Sequence, residues 1–183
     1  MPVIVGVSGS LRRASFNTSL LRNAADLMPA DAQLRIETVE GIPLYNADVE
    51  AADGIPSRVA ELKQAIAASD GLLLATPEYN NSIPGVFKNA IDWLSRPPSD
   101  IKTVFGNKPV AVMGASPRGF GTILSQSAWL PVLRTLGTTL FSGRLLVARA
   151  HTVFDQDGKI NDEAIQKQLA QFLAGFVAFI GTP

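Results

Sequence analysis

No cysteine occurs in the 183 residues, which excludes disulfides, thiolate nucleophiles, iron–sulfur clusters and Cys-based zinc sites. Histidine is almost as scarce: with His151 alone, a His-cluster metal site cannot form, and a Ser-His-Asp triad would have to run through that one residue. Charged residues make up only 17% of the chain, against roughly 25% in ordinary soluble domains, and sixteen basic residues balance sixteen acidic ones. No Lys or Arg run stands out as a footprint for nucleic acid or membrane, so neither is an expected partner. Long apolar runs are missing as well. None approaches the ~18 residues of a membrane span, and no charged leader precedes Val3. These absences describe a soluble, cytoplasmic protein whose low charge leaves apolar surface available for self-association.

What is present is a chain that is 46% hydrophobic and long enough for one domain, residues 1–183, with a single sizeable core. Short apolar runs at 3–7, 71–76 and 110–115 read as strands buried on both faces, with 34–39 and 140–148 as companions. Helical periodicity lies between them at 17–28, 57–68, 84–94, 122–136 and 162–180. Ser57 reads as an N-cap, Pro84 as part of a first turn and Gly137 as a stop. The stretches 40–56 and 95–107 read as irregular. Alternating strands and helices predict an α/β fold, a parallel sheet with helices on both faces.

Three loops leave the carboxyl ends of predicted strands, after Val7, Thr76 and Ala115, where open α/β sheets bind ligands. The first crowds Ser8, Ser10, Arg12, Arg13, Ser15, Asn17 and Thr18 ahead of a helix, with neither G-x-G-x-x-G nor G-x-x-x-x-G-K-[ST] spacing. Its donors and the helix N-terminus suit a phosphate monoester; the competing reading is an ordinary turn with Asn17 as helix cap. The second, Pro77-Glu-Tyr-Asn-Asn-Ser82, offers a flat heteroaromatic ring edge hydrogen bonds and a stacking wall, or else is a rigid turn. In the third, Ser116-Pro-Arg-Gly-Phe-Gly-Thr122, Gly119 and Gly121 let backbone approach a ligand and Ser116 donates to it. Outside the loops, Trp93 and Trp129 read as core or interface, Phe172, Phe176 and Phe179 as a core stripe, and His151 as surface or interface. Arg118 faces either a nucleotide phosphate or solvent.

A resemblance enters through Gly9-Ser-Leu-Arg12 with Ser15-Phe-Asn17, through Ile42-Pro-Leu-Tyr-Asn-Ala-Asp48, and through Thr76-Pro-Glu-Tyr-Asn80 running into Pro84-Gly and Lys88-Asn-Ala-Ile-Asp-Trp-Leu94. Over essentially its whole length the chain resembles the NADPH-dependent FMN reductases, flavodoxin-like proteins that include quinone, chromate and azo reductases. The resemblance implies a three-layer α/β/α sandwich whose five parallel strands run in the order 2-1-3-4-5, with FMN at the carboxyl edge. It implies that Ser10, Arg12, Ser15, Asn17 and Thr18 surround the FMN phosphate. Pro77, Glu78, Tyr79 and Asn80 line the isoalloxazine, and Ser116 and Gly119 close its pyrimidine side with Phe120 nearby. It further implies a homodimer or homotetramer, meeting through the segments that hold Trp93, Leu94 and the residues after Gly121. One departure is Gly121-Thr-Ile-Leu-Ser-Gln126, which lacks an arginine common in relatives.

With cysteine absent and one histidine, redox chemistry here must rest on an organic cofactor. The implied activity is an NAD(P)H-dependent FMN or quinone reductase, taking hydride from NADPH or NADH and passing electrons to quinones, azo or nitro compounds, or chromate. No side chain is required as acid or base, and Glu78 reads as structural or flavin-adjacent. Two other readings are a flavodoxin-type single-electron carrier, which balanced charge disfavours, and a flavin-free phosphate-binding protein.

Overall fold

Alternate side chains of each central strand point to opposite faces, and in this chain both sets are apolar. In the computed structural model, which describes residues 1–181, Val5, Val7, Leu72, Leu74, Val110 and Val112 enter one cluster while Ile4, Leu73, Ala75, Ala111 and Met113 enter another. That pattern requires a sheet covered on both sides. Residues 182 and 183 of the expected domain lie outside the described residues.

The strands are β1 (Val3–Ser8), β2 (Gln33–Thr38), β3 (Gly71–Ala75), β4 (Pro109–Ala115) and β5 (Thr139–Val147). They form one five-stranded sheet in the order β2-β1-β3-β4-β5, with every pairing parallel, as the resemblance implied. The order reverses direction between β1 and β3, which makes that edge the switch point for ligands. Helices α1 (Phe16–Asp26) and α8 (Glu163–Ile180) cover one face through Leu20, Leu21, Leu169, Phe172 and Phe176. The other face is covered by α3 (Ser57–Ala67), α4 (Gly85–Leu94), α5 (Ile101–Phe105) and α6 (Ile123–Thr135), which bury Leu62, Phe87, Trp93, Phe105 and Trp129. Phe141 of β5 packs its ring against Phe172, Phe176 and Phe179, the aromatic stripe expected of α8.

Four local expectations need correction. The stretch 40–56 holds helix α2 (Ala47–Asp53), and 95–107 holds a 3-10 turn (Pro98–Asp100) followed by α5. Helix α2 buries no residue, so it carries no apolar stripe for periodicity to detect; Asn46 caps it by accepting from the Asp48 N–H at 2.9 Å. A third short helix, α7 (Ala150–Val153), follows β5. Ser57 is the first residue of α3, with Pro56 in the cap position and no side-chain cap bond. Pro84 likewise precedes α4, which begins at Gly85, whereas Gly137, at φ +74°, terminates α6 as expected.

Candidate active site

The first loop begins where β1 stops. The Gly9 N–H donates to Ala75 O at 3.0 Å, and a Cβ there would fall 2.0 Å from Cδ1 of the buried Phe87, so only glycine lets the loop leave in this direction. Ser8 Oγ and Thr18 Oγ1 share a 2.8 Å hydrogen bond that closes the loop on itself. Ser15 is the N-cap of α1, its hydroxyl oxygen accepting from the Thr18 N–H at 3.3 Å. The first turn of α1 contains no acidic residue, so its open N–H groups remain available to an anion. Ser10 is buried and accepts from the Arg12 N–H at 3.3 Å, while the Arg12 and Arg13 side chains are exposed with no acidic partner among the described residues.

Asn17 departs from one of the two roles expected of it. It does not cap α1, and its amide is spent on the backbone at the end of β4. Nδ2 donates to Ala115 O at 3.0 Å, and Oδ1 accepts from the Ala115 N–H at 2.9 Å. This buried pair ties the far end of the first loop to the start of the third.

The second loop is anchored by a polar cluster inside the core. The Thr76 hydroxyl donates to Pro77 O at 2.9 Å, shares a 2.8 Å hydrogen bond with Ser125 Oγ, and accepts from Trp129 Nε1 at 3.1 Å. Trp129 is therefore core, as expected, and also fixes the exit of β3. Trp129→Phe should lower unfolding free energy by about 1–2 kcal/mol, read by denaturant titration, because the buried Thr76 oxygen loses a donor. Beyond Pro77 the chain makes a tight hairpin: Tyr79 and Ser82 exchange backbone hydrogen bonds of 3.2 and 3.1 Å, with Asn80 at φ 49° and Asn81 at φ 62°. Asparagine is the non-glycine residue best suited to those left-handed positions. The hairpin holds the Tyr79 ring partly exposed.

Glu78 reaches across to the third loop. Its Oε2 accepts from the Leu124 N–H at 2.8 Å and the Ser125 N–H at 3.0 Å, in the first turn of α6. Thr122, the local cap residue, is left-handed at φ 69° and makes no side-chain cap bond, so the carboxylate supplies the cap from 46 residues away. Sequence spacing carries no sign of this clamp. The third loop is tied in turn to β5: the Ser116 N–H donates to Val147 O, the Ala150 N–H to Ser116 O, and the Arg149 N–H to Arg118 O. Ser116 Oγ donates to Arg118 O at 3.4 Å. Gly121 was expected to make room for a ligand, but a Cβ there would lie 2.8 Å from Leu146 C, so its close approach is to β5. Gly119 has open space where a Cβ would stand.

The phrase Ile42 to Asp48 lies against α4 rather than in the loop cluster. Asn89 Nδ2 and Trp93 Nε1 both donate to Pro43 O, at 2.8 and 2.9 Å, and the Tyr45 N–H donates to Asn89 Oδ1. Hydrogen bonding from Arg96 holds the Glu50 carboxyl below the usual range, and Glu50 in turn accepts from the Tyr45 hydroxyl. Trp93 and Leu94 are fully buried within the chain, which makes Trp93 core, one of the two readings expected of it. Phe120, Leu124 and Leu130 are exposed instead. His151 is exposed on α7, as expected.

A cavity of about 600 Å³ opens beside these loops, lined by Glu78, Tyr79, Asn80, Asn81 and Arg118. Its size falls in the range of small-molecule sites. A second hollow of about 420 Å³, bounded by Lys88, Ile91, Pro131 and Thr135, lies between α4 and α6 and includes no residue of the three loops. An anion cradle and an aromatic-walled cavity thus share one edge of the sheet, which fits the phosphate and ring of a flavin mononucleotide.

The profile of the family described as NADPH-dependent FMN reductase matches residues 2–152. A Pseudomonas aeruginosa protein named NAD(P)H-dependent FMN reductase is 42% identical over 171 residues, covering 91% of this chain and 90% of the relative. A Burkholderia 2-hydroxy-1,4-benzoquinone reductase is 38% identical over 178 residues, covering 97% and 95%. Among solved structures, the Paracoccus denitrificans flavoenzyme NAD(P)H:(acceptor) oxidoreductase FerB superposes with a TM-score of 0.87 at 34% identity, covering 98% of this chain and 97% of that one.

Proposed function

The chain belongs to the NADPH-dependent FMN reductase family, and from that membership we propose how its own residues divide the work of an FMN-dependent NAD(P)H oxidoreductase that acts on quinones. Bound FMN supplies two-electron transfer from a nicotinamide to an acceptor. The α1 N-terminus, with Ser10, Arg12, Ser15 and Thr18, holds the phosphate. Asn17 contributes its backbone N–H there while its amide fixes β4. Pro77, Glu78, Tyr79 and Asn80 seat the ring from the second loop, and Ser116 and Gly119 bound it from the third. Main-chain donors at this edge stabilise negative charge on the reduced ring.

The observation that carries this reading is the pairing of an acid-free helix N-terminus beside Arg12 with a 600 Å³ cavity walled by Tyr79, on the same sheet edge. One domain of this kind suffices for the chemistry, and a cytoplasmic setting supplies the nicotinamide. Exposed Leu11, Phe120, Leu124 and Leu130 support a homodimer or homotetramer. Among the described residues no helix is long and apolar enough to cross a membrane.

An anaerobic stopped-flow record of the FMN-loaded protein tests the reading. NADPH or NADH should bleach the flavin absorbance, and a quinone should restore it in a separate step. Azo, nitro and chromate acceptors in the same panel measure how permissive the site is. If neither nucleotide bleaches bound FMN, the assignment fails.

A further inference from the structure

Two formal charges line the cavity, and they have opposite signs. Tyr79, Asn80 and Asn81 are uncharged, so the local field is set by the Glu78 carboxylate and the Arg118 guanidinium. Neither neutralises the other. Glu78 is held in place by its two bonds to the α6 N-terminus, and its second oxygen has no hydrogen-bond partner among the described residues. The Arg118 backbone is pinned by the Arg149 N–H, while its side chain is exposed and has no acidic partner among the described residues.

We propose that Glu78 and Arg118 set the reduction potential of bound FMN from opposite directions, Glu78 holding it down and Arg118 raising it. The inference rests on the flavin reading above. Hydride transfer breaks a C–H bond of the nicotinamide, forms a bond to hydrogen on the flavin and adds one negative charge to the ring. The anchored carboxylate at the cavity wall opposes that charge, and the guanidinium on the same wall favours it. Because Glu78 also occupies the α6 N–H groups, it masks a helix dipole that would otherwise favour the reduced ring. Both residues are positioning groups for the electrostatics of the site. Neither is asked to transfer a proton.

The test is a dye-equilibrated redox titration of the FMN-loaded protein, with dissociation constants for oxidised and reduced FMN measured alongside. Glu78→Gln keeps a carbonyl oxygen that can accept from the Leu124 and Ser125 N–H groups, so the cap survives while the charge is lost. It should tighten reduced relative to oxidised FMN by about three- to tenfold, moving the potential about 15–30 mV positive for a two-electron couple. Arg118→Gln should shift the ratio by a similar factor in the other direction. Arg118→Lys, which keeps the charge, should stay within about twofold of the parent ratio. Both shifts should shrink as ionic strength rises. Shifts of the same sign in the two Gln variants, or none in either, overturn the proposal. Absence of FMN binding in the parent protein would instead overturn the flavin reading itself.

Discussion

Asn17→Ala should lower the unfolding free energy of the flavin-free protein by about 2–4 kcal/mol, because it strands a buried N–H and a buried C=O together. In a chain of this size that corresponds to a melting temperature lower by about 5–15 °C. Asn17 joins α1 to the last residue of β4 through bonds of 3.0 and 2.9 Å, and its side chain is buried where water cannot replace them. Asn17→Asp should be at least as damaging, since a carboxylate satisfies the Ala115 N–H but sets negative charge against Ala115 O. Thermal melts of the three proteins without added FMN decide the matter. Unchanged melting in Asn17→Ala, combined with lost FMN affinity, would return the amide to the phosphate site.

The contrast between Asn17 and its neighbours shows where the sequence could be read and where it could not. The three central strands were legible because apolar runs with no polar alternation fit a sheet buried on both faces, and all five strands lie within a residue or two of expectation. The three loops were legible because polar residues crowd at the ends of such strands. What side chains do inside a loop depends on contacts over long separations. Asn17 meets Ala115 across 98 residues, and Glu78 meets α6 across 46. Periodicity, capping preference and motif spacing all act over short distances and cannot report such pairs. Helix α2 was missed for a different reason: its stability comes from Asn46, acidic first-turn residues and the Gly54 stop, with no buried face to reveal it. Trp93 was legible as buried but not as the donor that fixes Pro43, since its hydrogen-bond partner also lies far away in sequence.

Combining Arg12→Ala with Ser15→Ala should weaken FMN binding by about 2–4 kcal/mol, roughly 30- to 1,000-fold in dissociation constant, since in the proposed site each supplies a donor or charge to the phosphate. The two substitutions act differently. Arg12 is exposed and makes no side-chain hydrogen bond among the described residues, so its loss should leave stability unchanged and reduce affinity more steeply at low ionic strength. Ser15 also caps α1, and its replacement should cost about 1 kcal/mol of stability in addition to its effect on binding. Riboflavin, which lacks the phosphate, separates ligand contact from loop distortion. Titrations of flavin fluorescence should show the double variant binding riboflavin nearly as the parent does, with the whole deficit confined to FMN. An equal loss for both ligands would mean that the loop had been deformed, and would remove Arg12 and Ser15 from the phosphate site.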